Sequence, residues 1–321
     1  AGGVKPGWQL VLRSKNVYGP YEEKRVLAQG KSDINGPHQG AWVDTPDGKQ
    51  DWFFHFQDLY AYGRAVHLQP MKWVNDWPVI GEDKDGDGCG TPYSTYKKPD
   101  VGKTYPVATP AESDEFDANM LGLQWQWQAN SNPLWYFPAG DKGYLRLFAW
   151  NEIDAAKNLW DAPNLLMQKF PAPNFKFTTK LTFNPFKKGE RAGLVVFGQD
   201  YGTITIESTD KGLVLNQSSC KNAPDGTPET INATEAISKN TVYFRVEVKQ
   251  SKALNKENIQ QPKASCTFSY SLDGEKFFPF GNPFTAWEGK WIGAKVGIFC
   301  QRPQPLNDSG YADFDWVRIQ P

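Results

Sequence analysis

The segment Lys176-Phe177-Thr178-Thr179-Lys180-Leu181-Thr182-Phe183 puts Phe177, Leu181 and Phe183 on one parity and Lys176, Thr178, Lys180 and Thr182 on the other. A period of two is that of a strand with one face buried and one wet. The same pattern recurs at Trp8–Leu12, Trp52–Phe56, Tyr144–Phe148, Ala192–Phe197, Thr203–Ile206, Val242–Val248, Cys266–Ser271, Ala294–Phe299 and Ala312–Ile319. Gly, Pro, Asn or Asp bounds each of these runs, which is the punctuation of antiparallel sheets. Helical windows are few; the best, Asn158–Gln168, is interrupted by Pro163.

Composition agrees. The chain has 321 residues with 13 Trp, 13 Tyr and 20 Phe, residues that favour strands, and 29 Gly and 24 Pro to separate them. Length alone predicts about two domains at roughly 150 residues each. Between Tyr93 and Ser113, Lys97-Lys98-Pro99-Asp100 and Pro106-Val107-Ala108-Thr109-Pro110 offer little to pack, so an extended linker is expected there. The boundary is placed near residue 105: residues 1–105 hold a few Trp- and Phe-rich strands, and residues 106–321 have the size of a two-sheet sandwich.

A net charge of −1, from 35 Lys+Arg against 36 Asp+Glu, provides no basic field to hold a polyphosphate, so nucleic acid is not an expected partner. No apolar run approaches the ~18–20 residues needed to cross a bilayer. The first residues, Ala1 to Pro6, contain no apolar stretch of a secretion signal. Cys89, Cys220, Cys266 and Cys300 are too few and too scattered for a disulfide framework or a Cys-x-x-Cys site; they read as buried thiols, with Cys220 and Cys266 the pair if one bridge forms. Sequons begin at Asn216, Asn232 and Asn307, about as many as chance supplies.

Three histidines, His38, His55 and His67, lie in the first 70 residues. On alternating strands His55 and His67 would share a face, with His38 delivered by the Gly36-Pro37-His38-Gln39-Gly40 turn. That arrangement suits either a three-histidine metal site or hydrogen-bonded structural residues. Asp83-Lys84-Asp85-Gly86-Asp87-Gly88 matches the first half of a calcium loop, but Ser94 stands where the bidentate Glu belongs. A second acidic group, Asp114, Glu115 and Asp117, begins the later domain, and Asp313 and Asp315 end it. If the first and last strands run side by side, Glu115 and Asp315 are expected to share one calcium ion. No Gly-x-Ser-x-Gly elbow, phosphate loop or dinucleotide fingerprint is present. Trp, Tyr, Asp and Asn on a β scaffold suit a carbohydrate, whose ring faces meet aromatic planes and whose hydroxyls meet planar polar groups.

Particular motifs sharpen this reading. Gly7-Trp8-Gln9, Arg13-Ser14-Lys15-Asn16-Val17-Tyr18-Gly19-Pro20-Tyr21-Glu22 and Asp33-Ile34-Asn35-Gly36-Pro37-His38-Gln39-Gly40 resemble the late blades of the five-bladed propeller of glycoside hydrolase family 43. Phe54-His55-Phe56-Gln57-Asp58, Tyr62-Gly63-Arg64, His67-Leu68-Gln69-Pro70-Met71 and Trp73-Val74-Asn75-Asp76-Trp77-Pro78 continue the likeness. After the linker, Leu123-Gln124-Trp125-Gln126-Trp127, Gly143-Tyr144-Leu145-Arg146-Leu147, Arg191-Ala192-Gly193-Leu194-Val195 and Gly198-Gln199-Asp200-Tyr201 resemble the accessory sandwich of its β-xylosidase and α-L-arabinofuranosidase members. The resemblance implies an all-β chain: a partial five-bladed β-propeller, its last blades only, followed by a concanavalin-like β-sandwich.

It also implies an activity, inverting hydrolysis of terminal xylosyl or arabinofuranosyl units, with a xylo- or arabino-oligosaccharide as partner and a secreted or periplasmic setting. Family members carry their catalytic carboxylates on earlier blades, and none transfers to a position here. The chain is therefore expected to be the C-terminal part of a longer enzyme, completed by an N-terminal propeller segment. The other expectation is a non-catalytic sugar-binding sandwich with a propeller remnant. His38 matches the axial histidine that faces a central calcium ion or ordered water, and Arg64 matches the arginine that grips sugar hydroxyls. Phe56 and Gln57 neighbour them on the strand, and Trp8 is a further candidate contact.

Overall fold

The computed structural model describes residues 7–151, 156–254, 260–303, 305 and 308–321; the sequon at Asn307 lies outside them. Every alternating stretch named above overlaps a strand, and the described elements that are not strands are short 3-10 turns. No described helix is long and apolar enough to cross a membrane. The helical window Asn158–Gln168 forms none. Asn158 caps a single 3-10 turn, Leu159–Asp161, by accepting from Trp160 N, and Leu166–Lys169 is already a strand. Pro163 has no amide hydrogen to continue a helix.

The chain divides into two compact units, one reaching Leu59 and resuming over Arg64–Ala108, the other comprising Tyr60–Gly63 and Thr109–Pro321. In the first unit, β1 (Gln9–Arg13) pairs antiparallel with β2 (Glu22–Leu27). A four-stranded antiparallel sheet follows in chain order, β3 (Ala41–Asp44), β4 (Asp51–Asp58), β5 (Arg64–Val74) and β6 (Trp77–Ile80), the strand number of a propeller blade. Val26, Leu27, Phe53, Met71 and Ile80 form its buried cluster, with Val11 packed against them. Strand β2 has no apolar alternation because only Val26 and Leu27 of its residues are buried.

The second unit is a sandwich. In one sheet the neighbours run Thr230–Ile237, Gly212–Cys220, Tyr201–Thr209, Arg191–Phe197, Lys295–Arg302, Leu166–Lys169 and Gln126–Trp127. In the other they run Phe278–Pro279, Gln260–Ser271, Thr241–Leu254, Phe175–Asn184, Tyr311–Gln320, Tyr144–Phe148 and Tyr136–Ala139. Phe177, Leu181, Phe244 and Phe314 from the second sheet meet Leu194, Ile204 and Ile298 from the first in one core, all of them fully buried. The unit's beginning and end do lie together: Asp114 and Val317 exchange two backbone hydrogen bonds of 2.8 Å.

The four cysteines are free thiols. The Cys220–Cys266 bridge does not form because the two belong to different apolar clusters, one between the sheets and one on the other side of the first sheet. Burial pushes the Cys266 thiol up to about 12.

His55 and His67 are direct cross-strand partners on β4 and β5, their rings stacked with centroids 5.3 Å apart at 15°. His67 Nε2 lies 3.1 Å from Gln57 Oε1, and His55 Nδ1 lies 3.2 Å from the Phe56 carbonyl oxygen, so each of these nitrogens carries the proton. That leaves His55 Nε2 buried without a partner. Burial, with His67 alongside, lowers the His55 pKa to about 4, and burial lowers that of His67 as well.

Two outcomes are expected. Phe177→Ala, at a position with no exposure, should cost about 3–5 kcal/mol in denaturant unfolding of the sandwich, since it leaves a cavity between rigid sheets. Between its unfolded value of 6.5 and its folded value of about 4, His55 binds fewer protons when folded than when unfolded. Stability of the first unit should therefore be full near neutrality and decline as pH falls through that window, by up to about 3 kcal/mol for this residue. Urea melts from pH 7 to pH 4 read the effect, and His55→Leu should flatten the profile; an equally steep profile in that variant would assign the loss elsewhere.

Candidate functional site

The loop Asp33–Gly40 lies along the end of β4, and three side-chain contacts fix it there. Asn35 brackets Asp58, donating from Nδ2 to the Asp58 carbonyl at 2.9 Å and accepting from the Asp58 amide at 3.0 Å. Gln57 Nε2 donates to the Asp33 carbonyl at 2.8 Å. At the loop's end a Cβ on Gly40 would come within 2.2 Å of both the Phe53 ring and the Phe54 carbonyl oxygen, so only glycine permits this approach. The Gly40 amide donates to Gln9 Oε1 at 3.3 Å, tying the loop to β1.

This seating buries His38 and turns its ring toward Phe56, with centroids 5.1 Å apart. His38 Nδ1 is 2.6 Å from the Gly36 carbonyl oxygen; a carbonyl only accepts, so Nδ1 holds the proton and Nε2 keeps its lone pair. On the same strand pair the Arg64 guanidinium carbon sits 4.4 Å from the centre of the Phe56 ring. Arg64 pairs with Asp58 and Phe56 with Val66, so alternation brings Arg64 and Phe56 to one face of the sheet. The result is a column in which a half-buried guanidinium, an aromatic ring and a buried imidazole follow one another. A guanidinium stacked on a ring has its plane held in one orientation.

Of the residues singled out from the sequence, His38, Phe56 and Arg64 thus come together. Gln57 points to the opposite face, where it serves His67 and the loop backbone. Trp8 lies under the guanidinium of Arg25, 4.2 Å from its ring centre, and stands outside the column. Asn35 and Gly40 position the site although neither is a ligand candidate; both were in view within the motif Asp33–Gly40, without a signal separating their role from that of His38.

The metal expectations fare differently. Calcium takes roughly six to eight oxygen ligands, whereas no carboxylate joins His38 in a metal-holding group among the described residues. His38, His55 and His67 do not gather into one either. The expected convergence of Glu115 and Asp315 is corrected by the structure. Arg318 donates to both oxygens of Glu115, at 2.8 and 2.9 Å, and holds its carboxyl below the ordinary value. Asp315 is paired with Lys180, and Asp313 with Arg146. The strands are adjacent as expected, but Lys180 faces Trp316 and Leu181 faces Phe314, so Asp315 is the extra residue of a bulge and turns outward to the lysine. The donor set there does not suit a cation. Among the described residues, Asp83, Asp85 and Asp87 form the one group of three whose carboxylate oxygens lie within 4.8 Å of one another, and amides of their own turn already occupy them, as where Gly86 N and Gly88 N donate to Asp83.

Comparison with known proteins places both units. Residues 113–320 match the family model described as the β-xylosidase C-terminal concanavalin A-like domain, and residues 1–78 match that of glycosyl hydrolases family 43. A Xylanibacter ruminicola protein named as a candidate β-xylosidase is 38% identical over 92% of this chain and 51% of its own length. A β-xylosidase of Formosa agariphila is 32% identical over 96% of this chain and 52% of its own. The chain thus spans about half the length of the curated relatives it matches. Among solved structures, a bifunctional GH43-CE protein of Bacteroides eggerthii superposes with a TM-score of 0.75 at 26% identity, covering 97% of this chain and 37% of that one. A xylan β-1,4-xylosidase of Bacillus halodurans shares the fold, with a TM-score of 0.77 at 21% identity over 97% of this chain and 60% of that one. Propeller strands carrying the Arg64–Phe56–His38 column and a concanavalin A-like sandwich, each matched by its own family model, make this chain a member of glycoside hydrolase family 43.

Proposed function

We propose that the chain forms part of an inverting glycosidase that removes terminal xylosyl or arabinofuranosyl units from hemicellulose. The observation that carries this reading is the column of Arg64 on Phe56 beside His38, in strands that match the family's catalytic-domain model. The β-xylosidase names of the 38% and 32% identical relatives support the substrate class.

In this reading the Arg64 guanidinium binds two sugar oxygens at once, which fixes the ring's rotation as well as its place. Phe56 keeps that guanidinium flat and presents an apolar edge to the sugar. His38, proton on Nδ1, offers the Nε2 lone pair to an ordered water or to a calcium ion held largely by other groups. Cleavage with inversion needs a carboxylic acid to protonate the leaving oxygen and a carboxylate across the ring to activate water. We assign both to a further polypeptide segment, because the resemblance places the family's catalytic carboxylates on earlier blades and the chain spans about half the length of the curated relatives it matches.

By itself the 321-residue chain is expected to leave nitrophenyl β-xyloside and α-L-arabinofuranoside uncut, while a longer polypeptide containing it cleaves one of them and releases the inverted anomer, read by NMR. In that longer protein Arg64→Ala should lower kcat/KM by about two orders of magnitude with the unfolding midpoint retained. Ordinary turnover by a chain shown by intact mass to be this sequence alone would overturn the assignment of the acids. Retention on insoluble xylan by the longer protein without turnover would replace the reading with a non-catalytic sugar-binding one.

A further inference from the structure

On the first sheet of the sandwich, Leu166, Ile298 and Leu194 form one cross-strand row that faces the core. Three residues further along each strand, alternation puts the row Lys169, Lys295 and Phe197 on the opposite, outer face. Lys295 is its central member, directly across from Lys169 on one side and from Phe197 on the other. Side chains so placed have Cβ atoms about 4.5–5.5 Å apart. The next row on this face is Met167, Gly297 and Val195. Met167, Val195 and Phe197 belong to the apolar cluster on this side of the sheet. The stem of Lys295 lies beside that cluster, and the residue is only 8% exposed.

The ion pairs of the sandwich engage Arg146, Lys180, Lys188, Arg191, Lys249 and Arg318. Among the described residues Lys169 and Lys295 have no such partner. Burial, with Lys169 alongside, lowers the Lys295 pKa, so its charge is held at a cost to the fold. Like charges directly opposite one another on paired strands add to that cost. Beyond Phe197 the neighbourhood stays cationic: Trp160 stacks on Phe197 with centroids 5.6 Å apart at 16°, and Lys290 Nζ lies 5.7 Å from the Trp160 ring centre. An oxyanion between Lys169 and Lys295 removes their repulsion and gives the buried ammonium a counter-charge.

Lys169 also lines a cleft of about 360 Å³, a size within the usual range of ligand sites. Gln126, opposite Met167, shares the face of Lys169 and lines the same cleft. Gln124 lines it too, held by a contact of 3.4 Å from its Nε2 to Asp114. Carboxamides both donate and accept, which suits hydroxyl groups, and Phe170, 9% exposed, adds apolar surface. The one carboxylate among the lining residues is Glu112, whose backbone carbonyl accepts from Gln168 Nε2 at 2.9 Å. We infer that this cleft and the adjoining lysine pair form a site for an acidic saccharide, with Lys169 and Lys295 receiving its carboxylate and Gln124 and Gln126 its hydroxyls. The inference rests on the hemicellulose reading above and adds to it a uronic-acid branch on the substrate. All four residues lie in the second unit and none belongs to the Arg64 column, so binding here holds a decorated chain without taking part in bond cleavage.

Calorimetric titration of the 321-residue chain with a xylo-oligosaccharide bearing one glucuronic acid branch, against the neutral oligosaccharide of equal backbone length, tests it. At low salt the acidic ligand should bind about fivefold to tenfold tighter, as two partly solvated charge contacts allow, and the preference should fade in about 1 M salt. Lys295→Met keeps the stem and removes the charge; it should abolish the preference, leave neutral binding in place, and keep or raise the unfolding midpoint of the unliganded chain. Lys169→Gln, at an exposed position, should abolish the preference independently. Gln124→Ala with Gln126→Ala should weaken both ligands alike. Arg64→Ala should keep the preference, which separates this site from the proposed catalytic pocket. Equal affinity for the two ligands, no binding of the acidic one, or a preference that survives both lysine variants would overturn the inference. So would free sulfate that binds as tightly as the branched oligosaccharide, since the lysine pair would then hold an inorganic anion. None of those results touches the turnover assay on which the catalytic reading stands.

Discussion

A sheet with one apolar face must have that face covered, and in the sandwich this requirement decides nearly everything else. Phe177, Leu181, Phe244 and Phe314 point inward because Leu194, Ile204 and Ile298 cover them. Once those side chains are committed, alternation commits their neighbours outward. The outer face of the second sheet accordingly becomes a field of partnered charges, with Arg146 on Asp313, Lys180 on Asp315 and Arg318 on Glu115. Carboxylates that look available for a cation along the sequence are in fact spoken for by basic residues of adjacent strands. Each exposed pair contributes little to stability, but together they leave no oxygen cluster there.

The first unit uses the same alternation to build rather than to fill. Strand β4 presents His55 and Gln57 to one face and Phe56 to the other, so a three-residue run serves two purposes. On one face His55 stacks on His67 and Gln57 anchors the incoming loop. On the other Phe56 lies between the guanidinium of Arg64 and the imidazole of His38. Gln57 thus acts by placing the loop, and Asn35 does the same from the loop's side by bracketing Asp58. The site is rigid because the parts that hold it are backbone-directed hydrogen bonds, which admit little variation in geometry.

Two loops of the first unit share a construction in which an amide side chain clamps a loop and an aromatic is thereby oriented. Asn35 and Gln57 do this for His38 and Phe56; Gln69 and Gln50 do it for Tyr96 and Trp52. Each clamp joins residues separated by more than twenty positions in the chain. That separation is what periodicity cannot see, since a window of ten residues reports which face a side chain takes but not what crosses over it.

The sequence by itself determined the all-β class, the placement of the strongly alternating strands and the family, because those depend on local period and on motif order. Among the strands it missed, β2 and Thr230–Ile237 have mostly exposed residues and carry no alternation to detect, while Gly212–Cys220 has a run of consecutive buried residues in place of alternation. Among site residues the motifs brought forward His38, Phe56 and Arg64, which the fold sets in one column, whereas Glu115 and Asp315 are held by Arg318 and Lys180 and Trp8 stands outside the column. What only the tertiary structure decided was partnership: the bulge that turns Asp315 to Lys180, the Arg25 that takes Trp8, and the pairing that stacks Arg64 on Phe56. A residue's face is set by its own backbone torsions, but its electrostatic environment is set by whichever strand folds against it.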